Sequence, residues 1–225
     1  MAEQLRVCVD RLALPKVLGQ RLALLKNNMW TRGQGLRVGF LSGSSVLQGR
    51  VQAVAKEWEQ YCSLSLHFVP NPGDADIRID FSPDGSWSFV GTQCKQAPAG
   101  SATMNFGWLT EDSDDDEVHR VVLHEFGHAL GCIHEHQHPA ANIQWNKQAV
   151  YAYYMGPPNN WTKEQVDHNI FETYSKEVTN STQKADPGSI MMYPIPRNFL
   201  LTGDPVGMNR KLSDRDKSFI RAMYP

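Results

Sequence analysis

The spacing of apolar positions changes along the chain, and each change predicts a different element. Residues Leu36 to Leu41 alternate between apolar and polar side chains, which is typical of a half-buried β-strand. Apolar residues from Val46 to Trp58 recur every three or four positions and predict an amphipathic helix that reaches about Tyr61. Two further strands are predicted at Ser63 to Val69 and at Ala75 to Phe81, with a turn between them. The predicted order is therefore strand, helix, strand, strand.

A second helix is predicted from Val118 to Leu130, where apolar residues again recur at helical spacing. The acidic segment Thr110 to Glu117 precedes it, and negative charge there favours the positive end of a helix dipole. We expect Asp112 or Ser113 to cap this helix and Gly131 to end it.

The C-terminal part of the chain predicts loops more than regular elements. Turns at Gly156 to Asn160 and at Asp186 to Gly188 interrupt it, and a short helix is predicted between them, from Thr162 to about Ser175. Ser213 is expected to cap a final helix that reaches Met223.

Composition narrows the class of protein without naming a partner. A chain of 225 residues with 41% hydrophobic residues can bury one sizeable core, so we expect a single unit that acts as a monomer. The net charge is −2 and the basic residues are spread along the sequence, which argues against a nucleic-acid partner. No apolar run approaches the roughly 20 residues that span a bilayer. The N-terminus also lacks the apolar core of a classical signal peptide.

The four cysteines, Cys8, Cys62, Cys94 and Cys132, are far apart and form no C-x-x-C pair. This spacing argues against a structural zinc knuckle or a thioredoxin-like site. An even number permits two disulfides, but free buried thiols are the simpler expectation.

A metal-binding motif lies inside the second predicted helix. His124 and His128 are four positions apart, so both imidazoles lie on one face, where they can bind one zinc ion at about 2.0–2.1 Å. Glu125 lies beside them, and its carboxylate can take a proton from water that the metal activates and return it to a leaving amine.

The third ligand must come from outside that helix, because three protein ligands leave a fourth position for water and substrate. Gly131 can turn the chain sharply and bring His134 back toward the metal. By average residue frequencies, the extended eleven-residue pattern arises in about one chain in 10⁴ or fewer. His136 and His138 have the wrong spacing, and we expect them to be surface or core residues.

These motifs resemble the astacin family of metzincin zinc metallopeptidases. The Glu after the third histidine, Glu135, is similar to the residue that distinguishes astacins, and Ser189 to Tyr193 resembles the family's Met-turn. The resemblance implies an α+β fold in which a twisted mixed sheet with helices forms an N-terminal lobe. An irregular C-terminal lobe would then flank a zinc cleft. The catalytic domain would span residues 34–225, with residues 1–33 as an extension of unclear role packed on it.

The resemblance also implies roles that spacing alone does not give. Met191 would lie beneath the zinc, and Tyr193 would be both a further zinc ligand and the group that stabilises the oxyanion. An extended protein or peptide substrate would pair with an edge strand, which we assign to Ala102 to Phe106. The cysteines that form the family's usual disulfides with Cys62 and near Trp87 are absent. This absence favours a reducing compartment, or export by a leaderless route as a delivered effector.

Three questions stay open from the sequence. Cys8 or Asp10 can in principle reach the zinc and hold the enzyme latent, although neither lies in a recognisable switch motif. The main functional hypothesis is a zinc endopeptidase, and the alternative is a catalytically silent module that binds extended peptides. A zinc amidase or deaminase is a third class, but the H-x-E and P-C-x-x-C ligand set of deaminases is absent.

Overall fold

The computed structural model describes residues 5–9, 28–157, 159–174 and 184–225. The strands are β1 (Gly35–Phe40), β2 (Ser65–Phe68), β3 (Ile77–Asp80), β4 (Ser86–Ser88) and β5 (Met104–Phe106). The α-helices are α1 (Ser45–Ala55), α2 (Asp115–Ala129), α3 (Lys147–Met155), α4 (Lys163–Val166) and α5 (Asp214–Met223). Short 3₁₀ turns lie at Lys56–Gln60, Pro72–Asp74, Gly91–Gln96, Glu135–Gln137 and Arg197–Phe199, and one π-helical turn lies at Asp167–Phe171.

The strands form one mixed sheet in the order β2-β1-β3-β5-β4. β1 pairs in parallel with β2 and β3, β3 pairs in parallel with β5, and β4 runs antiparallel to β5. The assignment of the edge strand to Ala102 to Phe106 is therefore wrong. β5 lies inside the sheet because β4 (Ser86–Ser88) hydrogen-bonds along its outer side.

The two predicted N-terminal helices are present and bury the main core against the sheet. α1 begins at the predicted cap Ser44, whose side chain accepts a hydrogen bond from Leu47 N, and a 3₁₀ turn extends it toward Tyr61. The Trp58 ring is 1% exposed, and its Nε1 donates to Leu123 O at 3.1 Å, which fixes α1 against α2. Burying an aromatic side chain of this size is among the largest single contributions to such a core.

α2 is buried along nearly its whole length, from Val118 to Ala129. Its N-terminal cap is Asp114, one or two residues later than predicted, because the Asp114 carboxylate accepts hydrogen bonds from Asp116 N and Glu117 N. Three acidic residues follow in the first turn, where the helix dipole favours them. The helix ends as predicted at Gly131, which has a φ of +103° that other residues rarely adopt.

The C-terminal lobe has a second core and few regular elements. The predicted helix after Thr162 is present only as α4 and the π-helical turn, and Ser175 lies outside the described residues. α3 was not predicted, although its buried side chains, Val150 and Tyr154, belong to this core. α5 begins at the predicted cap Ser213 with reciprocal side-chain and backbone bonds to Asp216.

The described parts of the N-terminal 33 residues pack on both lobes. Trp30 is 4% exposed, and its Nε1 donates to Ala129 O at 2.8 Å. Val7 and Cys8 are buried in the core of the C-terminal lobe. The sequence of Leu12 to Trp30 also indicates a partial helix, and this segment lies outside the described residues as far as residue 27. All four cysteines are described and carry free thiols, as expected, and no helix in the described ranges is long and apolar enough to cross a bilayer.

Candidate active site

The three predicted metal ligands converge on one place in the fold. The ring centroids of His124 and His128 are 4.9 Å apart, and those of His128 and His134 are 4.5 Å apart. His124 Nδ1 donates to Ile190 O at 2.8 Å, and His128 Nδ1 donates to Cys132 O at 2.9 Å. Since a carbonyl oxygen only accepts, each Nδ1 carries a proton and each Nε2 presents a lone pair.

One ring nitrogen from each of the three histidines belongs to a single close group of potential ligand atoms. His124 Nε2 is buried with no hydrogen-bond partner in the described part of the chain, and His128 Nε2 lies 3.1 Å from His134 Nε2. Burial lowers the pKa of His124 and of His134 well below the usual value, with neighbouring histidines adding to the effect. Neutral imidazoles whose nitrogen atoms converge fit a zinc ion, which would also give the buried His124 Nε2 a partner.

Two glycines make this geometry possible. The positive φ of Gly131 reverses the chain after α2 and leads it to His134. At Gly127 a side chain would clash, because a Cβ there would lie 2.4 Å from Met191 Sδ. Met191 therefore packs directly beneath α2, close to the histidines, where the resemblance places it.

Glu125 and Tyr193 both lie at the histidine cluster, and both contact Cys8. Glu125 is 1% exposed, and its Oε2 accepts a hydrogen bond from Cys8 Sγ at 3.3 Å. The Tyr193 hydroxyl donates to Cys8 O, and its ring centroid is 4.5 Å from that of His134. The site therefore brings together the predicted catalytic residues Glu125 and Tyr193. It also contains Cys8, which the spacing of the motif did not place there.

Cys8 enters the site on residues 5–9, a segment that belongs to no helix or strand. Its Sγ and one nitrogen from each of His124, His128 and His134 all lie within 4.8 Å of one another. The sequence raised Cys8 only as one of two switch candidates, because five residues carry no periodic signal. The second candidate, Asp10, lies outside the described residues.

Hydrogen bonds along the cleft hold residues 5–9 in place. Val9 N donates to Ser86 O of the edge strand β4 at 3.1 Å. Leu5 N donates to the Tyr153 hydroxyl at 2.8 Å, and Arg120 Nη2 donates to Arg6 O at 3.4 Å. The segment therefore contacts both lobes.

A polar network supports the turn that carries Met191 and Tyr193. Asp216 of α5 accepts from Ser189 Oγ at 2.6 Å and from Ile190 N at 2.8 Å. Glu135 Oε1 accepts from Asp186 N at 2.7 Å, and Glu135 N donates to Met191 O at 2.9 Å. Burial raises the pKa of Glu135 to about 7. Glu135 thus joins the third histidine to the Met191 turn, whereas the sequence identified it only by family resemblance.

His136 and His138 are both buried, and neither contributes to the convergent group of ligand atoms. His136 Nε2 donates to Asn169 O at 2.8 Å, and its ring lies 4.3 Å from the Tyr193 ring. The expectation that His136 is a surface or core residue fits this position, but its spacing carries no indication that it packs against Tyr193.

This arrangement defines a zinc peptidase centre of the metzincin type. Solved structures of myroilysin, an astacin-family zinc metalloprotease, are similar to this chain. One has a TM-score of 0.86 and 44% identity, covering 89% of this chain and 97% of that chain. A second has a TM-score of 0.73 and 42% identity, covering 99% and 92%. The hatching-enzyme zinc-protease HCE-1 of the medaka fish Oryzias latipes has a TM-score of 0.62 and 16% identity, covering 88% and 95%, and supports the fold alone.

The chain belongs to the astacin family of zinc metalloproteases. No protein-family model matches it, and no curated protein matches it. It is a zinc-dependent endopeptidase with one catalytic zinc, and the predicted α+β fold is confirmed. The silent binding module is not favoured.

Proposed function

We propose that His124, His128 and His134 hold the zinc while Glu125 and Tyr193 perform the proton transfer and charge stabilisation of peptide hydrolysis. The observation that carries this assignment is the convergence of three neutral imidazoles beside a buried carboxylate. Zinc, when bound, acts as a Lewis acid and lowers the pKa of water toward 7.

Glu125 is positioned to move the proton. Its carboxylate lies one residue from His124 on α2, so it can accept a proton from the attacking water and deliver it to the leaving nitrogen. The Tyr193 hydroxyl already donates to a main-chain carbonyl, that of Cys8. The same donor would stabilise the oxyanion that forms on a substrate carbonyl, and the predicted ligation of zinc by Tyr193 remains part of the proposal.

We further propose that the substrate lies extended along β4, which replaces β5 in the original prediction. Val9 N of the segment 5–9 donates to Ser86 O of this edge at 3.1 Å. A substrate strand can use the same backbone acceptor, which would supply affinity with little sequence preference.

The same contacts support a latent state, in which residues 5–9 block the cleft and the Cys8 thiol supplies a fourth zinc ligand. Cys8 is 4% exposed, and its Sγ donates a hydrogen bond to Glu125. Its carbonyl oxygen accepts a hydrogen bond from the Tyr193 hydroxyl. One residue therefore engages the base, the oxyanion donor and the ligand cluster at once. Deprotonated thiols are strong zinc ligands.

Substitution of Cys8 tests the latent state, and Cys94 provides the matched control because it is also buried but belongs to the core of the N-terminal lobe. We expect Cys8→Ala to cleave fluorescent casein at least about tenfold faster than the parent chain when both are zinc-loaded, and Cys94→Ala to match the parent. Equal activity of Cys8→Ala and the parent would contradict the proposed latent state. No cleavage by any folded, zinc-loaded variant across a broad peptide library would instead remove the assigned catalytic roles.

Two finer points remain proposals. The chain would act as a monomer, which sedimentation of the zinc-loaded protein would test. Four free thiols are compatible with a reducing compartment or a leaderless route of export, and mass spectrometry of cell and culture-medium fractions would distinguish these.

A further inference from the structure

We propose that Arg120 and Glu117 form a charge-neutral substrate subsite that receives the residue after the scissile bond and selects uncharged side chains. This inference rests on the proposed function, because it needs Glu125 as the proton donor to the leaving amine. Neither residue belongs to the zinc motif or to the Met191 turn.

The subsite is a pocket that extends along α2 from the catalytic residues. Arg120 precedes His124 by four residues and Val121 precedes Glu125 by four, so both lie one turn earlier on the same helix face. Its opposite wall comes from the C-terminal lobe, and the lining includes Val121, Glu125, Met192, Pro194 and Met208 in addition to Arg120. Arg6, Val7 and Cys8 of the bound segment also line it, and once that segment leaves, Arg120 is the one guanidinium among the lining residues.

The position of Glu125 indicates which part of a substrate enters this pocket. The leaving nitrogen must come within hydrogen-bond reach of the Glu125 carboxylate to receive its proton. The residue that carries this nitrogen then lies next to Glu125. Because the pocket begins at Glu125, the side chain of that residue is directed toward Arg120.

Glu117 neutralises the pocket wall. Arg120 Nε lies 2.9 Å from Glu117 Oε2, and Arg120 Nη2 lies 2.8 Å from Glu117 Oε1. Trp108 Nε1 also donates to Glu117 Oε1, at 2.9 Å, which fixes the carboxylate. The Arg120 side chain is 10% exposed and that of Glu117 is 26% exposed, so solvent screens this two-bond pair only partly.

An occupant of the cleft already uses one further N–H group of Arg120. Nη2 donates to the carbonyl oxygen of Arg6 at 3.4 Å. When residues 5–9 leave, a substrate can take this bond through a main-chain or amide oxygen. A charged side chain would instead meet a wall whose own charges are already paired, and it would lose hydration without a new partner.

The test uses quenched fluorescent peptides that differ only in the residue after the scissile bond, which is Gln, Glu or Lys, with cleavage positions checked by mass spectrometry. In the Cys8→Ala background we expect the Gln peptide to have a kcat/KM about tenfold above both charged peptides. Glu117→Gln leaves the charge of Arg120 unpaired, so the ratio of Glu to Gln peptide should rise about tenfold or more. Arg120→Gln leaves Glu117 unpaired, so the Lys peptide should gain instead.

Glu111→Gln is the matched control, because it removes the same charge from an exposed residue just before α2 and should leave the ratios unchanged. Binding of the three peptides to the Cys8→Ala, Glu125→Gln double variant, measured by fluorescence anisotropy, should show the same order without turnover. Equal cleavage of all three peptides by the Cys8→Ala chain, or unchanged ratios in either folded pocket variant, would overturn the subsite. Absence of any cleavage while the peptides still bind in the expected order would count against the catalytic roles and not against the subsite.

Discussion

The two lobes of the molecule hold the active site by different means. The N-terminal lobe presents His124, Glu125 and His128 on one long helix, α2, which is fixed by a continuous apolar core under the sheet. The C-terminal lobe presents Tyr193 on a turn that polar side chains hold, chiefly Asp216. The packing of a periodic apolar face is enough to position a helix, whereas an irregular turn needs specific hydrogen bonds to hold it in place. The first lobe should therefore tolerate conservative polar changes better than the second.

The largest effect is expected at Glu125, where α2 supplies the catalytic base. In the Cys8→Ala background, Glu125→Gln should lower kcat/KM by about 10² to 10⁴, because proton transfer loses its acceptor while the zinc ligands stay intact. Tyr193→Phe should lower kcat by about 10² to 10³, the usual cost of losing one oxyanion donor. Steady-state kinetics with metal analysis measures both. Loss of zinc in Glu125→Gln would mean that the carboxylate supports the metal site and not the proton transfer.

A large destabilisation with little effect on the site is expected in the core of the N-terminal lobe. Ile79 in β3 is fully buried, and Ile79→Ala should reduce the free energy of unfolding by about 2–5 kcal/mol through lost contacts and a cavity. Denaturant unfolding of the metal-free protein measures this change, and zinc titration should give an affinity close to that of the parent. A large loss of zinc affinity would show that α2 is not fixed independently of small changes in the sheet.

A smaller destabilisation with a clear effect on the site is expected at Asp216. Asp216→Asn removes a charge-assisted acceptor from Ser189 Oγ and Ile190 N, at a cost of about 1–3 kcal/mol. Because Ile190 O accepts from His124 Nδ1, zinc affinity should fall as well. Asp214→Asn is the matched control, since Asp214 is fully exposed on the same helix. If both variants bind zinc like the parent, the polar network does not position the metal site.

The same contrast explains how far the sequence predicts the structure. α2 was located from periodicity, and the metal ligands from their spacing on it, because both depend on a repeat of about 3.6 residues. The cap is Asp114 and not the predicted Asp112 or Ser113. Several neighbouring polar residues can accept hydrogen bonds from the N–H groups of the first turn, so the sequence does not decide between them, and Asp114 has the favourable backbone position. Tyr193 and Glu135 required the family resemblance, since their roles depend on contacts between distant segments.

The edge of the sheet and the blocked cleft could not be predicted in this way. β4 has three residues, which is too short for an alternating pattern, whereas the sequence of Ala102 to Phe106 predicts a strand of five residues, of which three form β5. The position of Cys8 depends on backbone hydrogen bonds to β4 and on buried contacts with Glu125 and Tyr193. None of these leaves a signal in the spacing of residues 5–9.

X-ray absorption spectroscopy at the zinc edge tests the central claim most directly, because it counts the atoms bound to the metal. For the zinc-loaded parent chain we expect one sulfur at about 2.3 Å and three imidazole nitrogens at about 2.0–2.1 Å. In Cys8→Ala the sulfur should be replaced by a nitrogen or oxygen ligand while the three imidazoles remain. A parent spectrum without sulfur would contradict the role of Cys8, and a spectrum with fewer than three imidazoles would contradict the site itself.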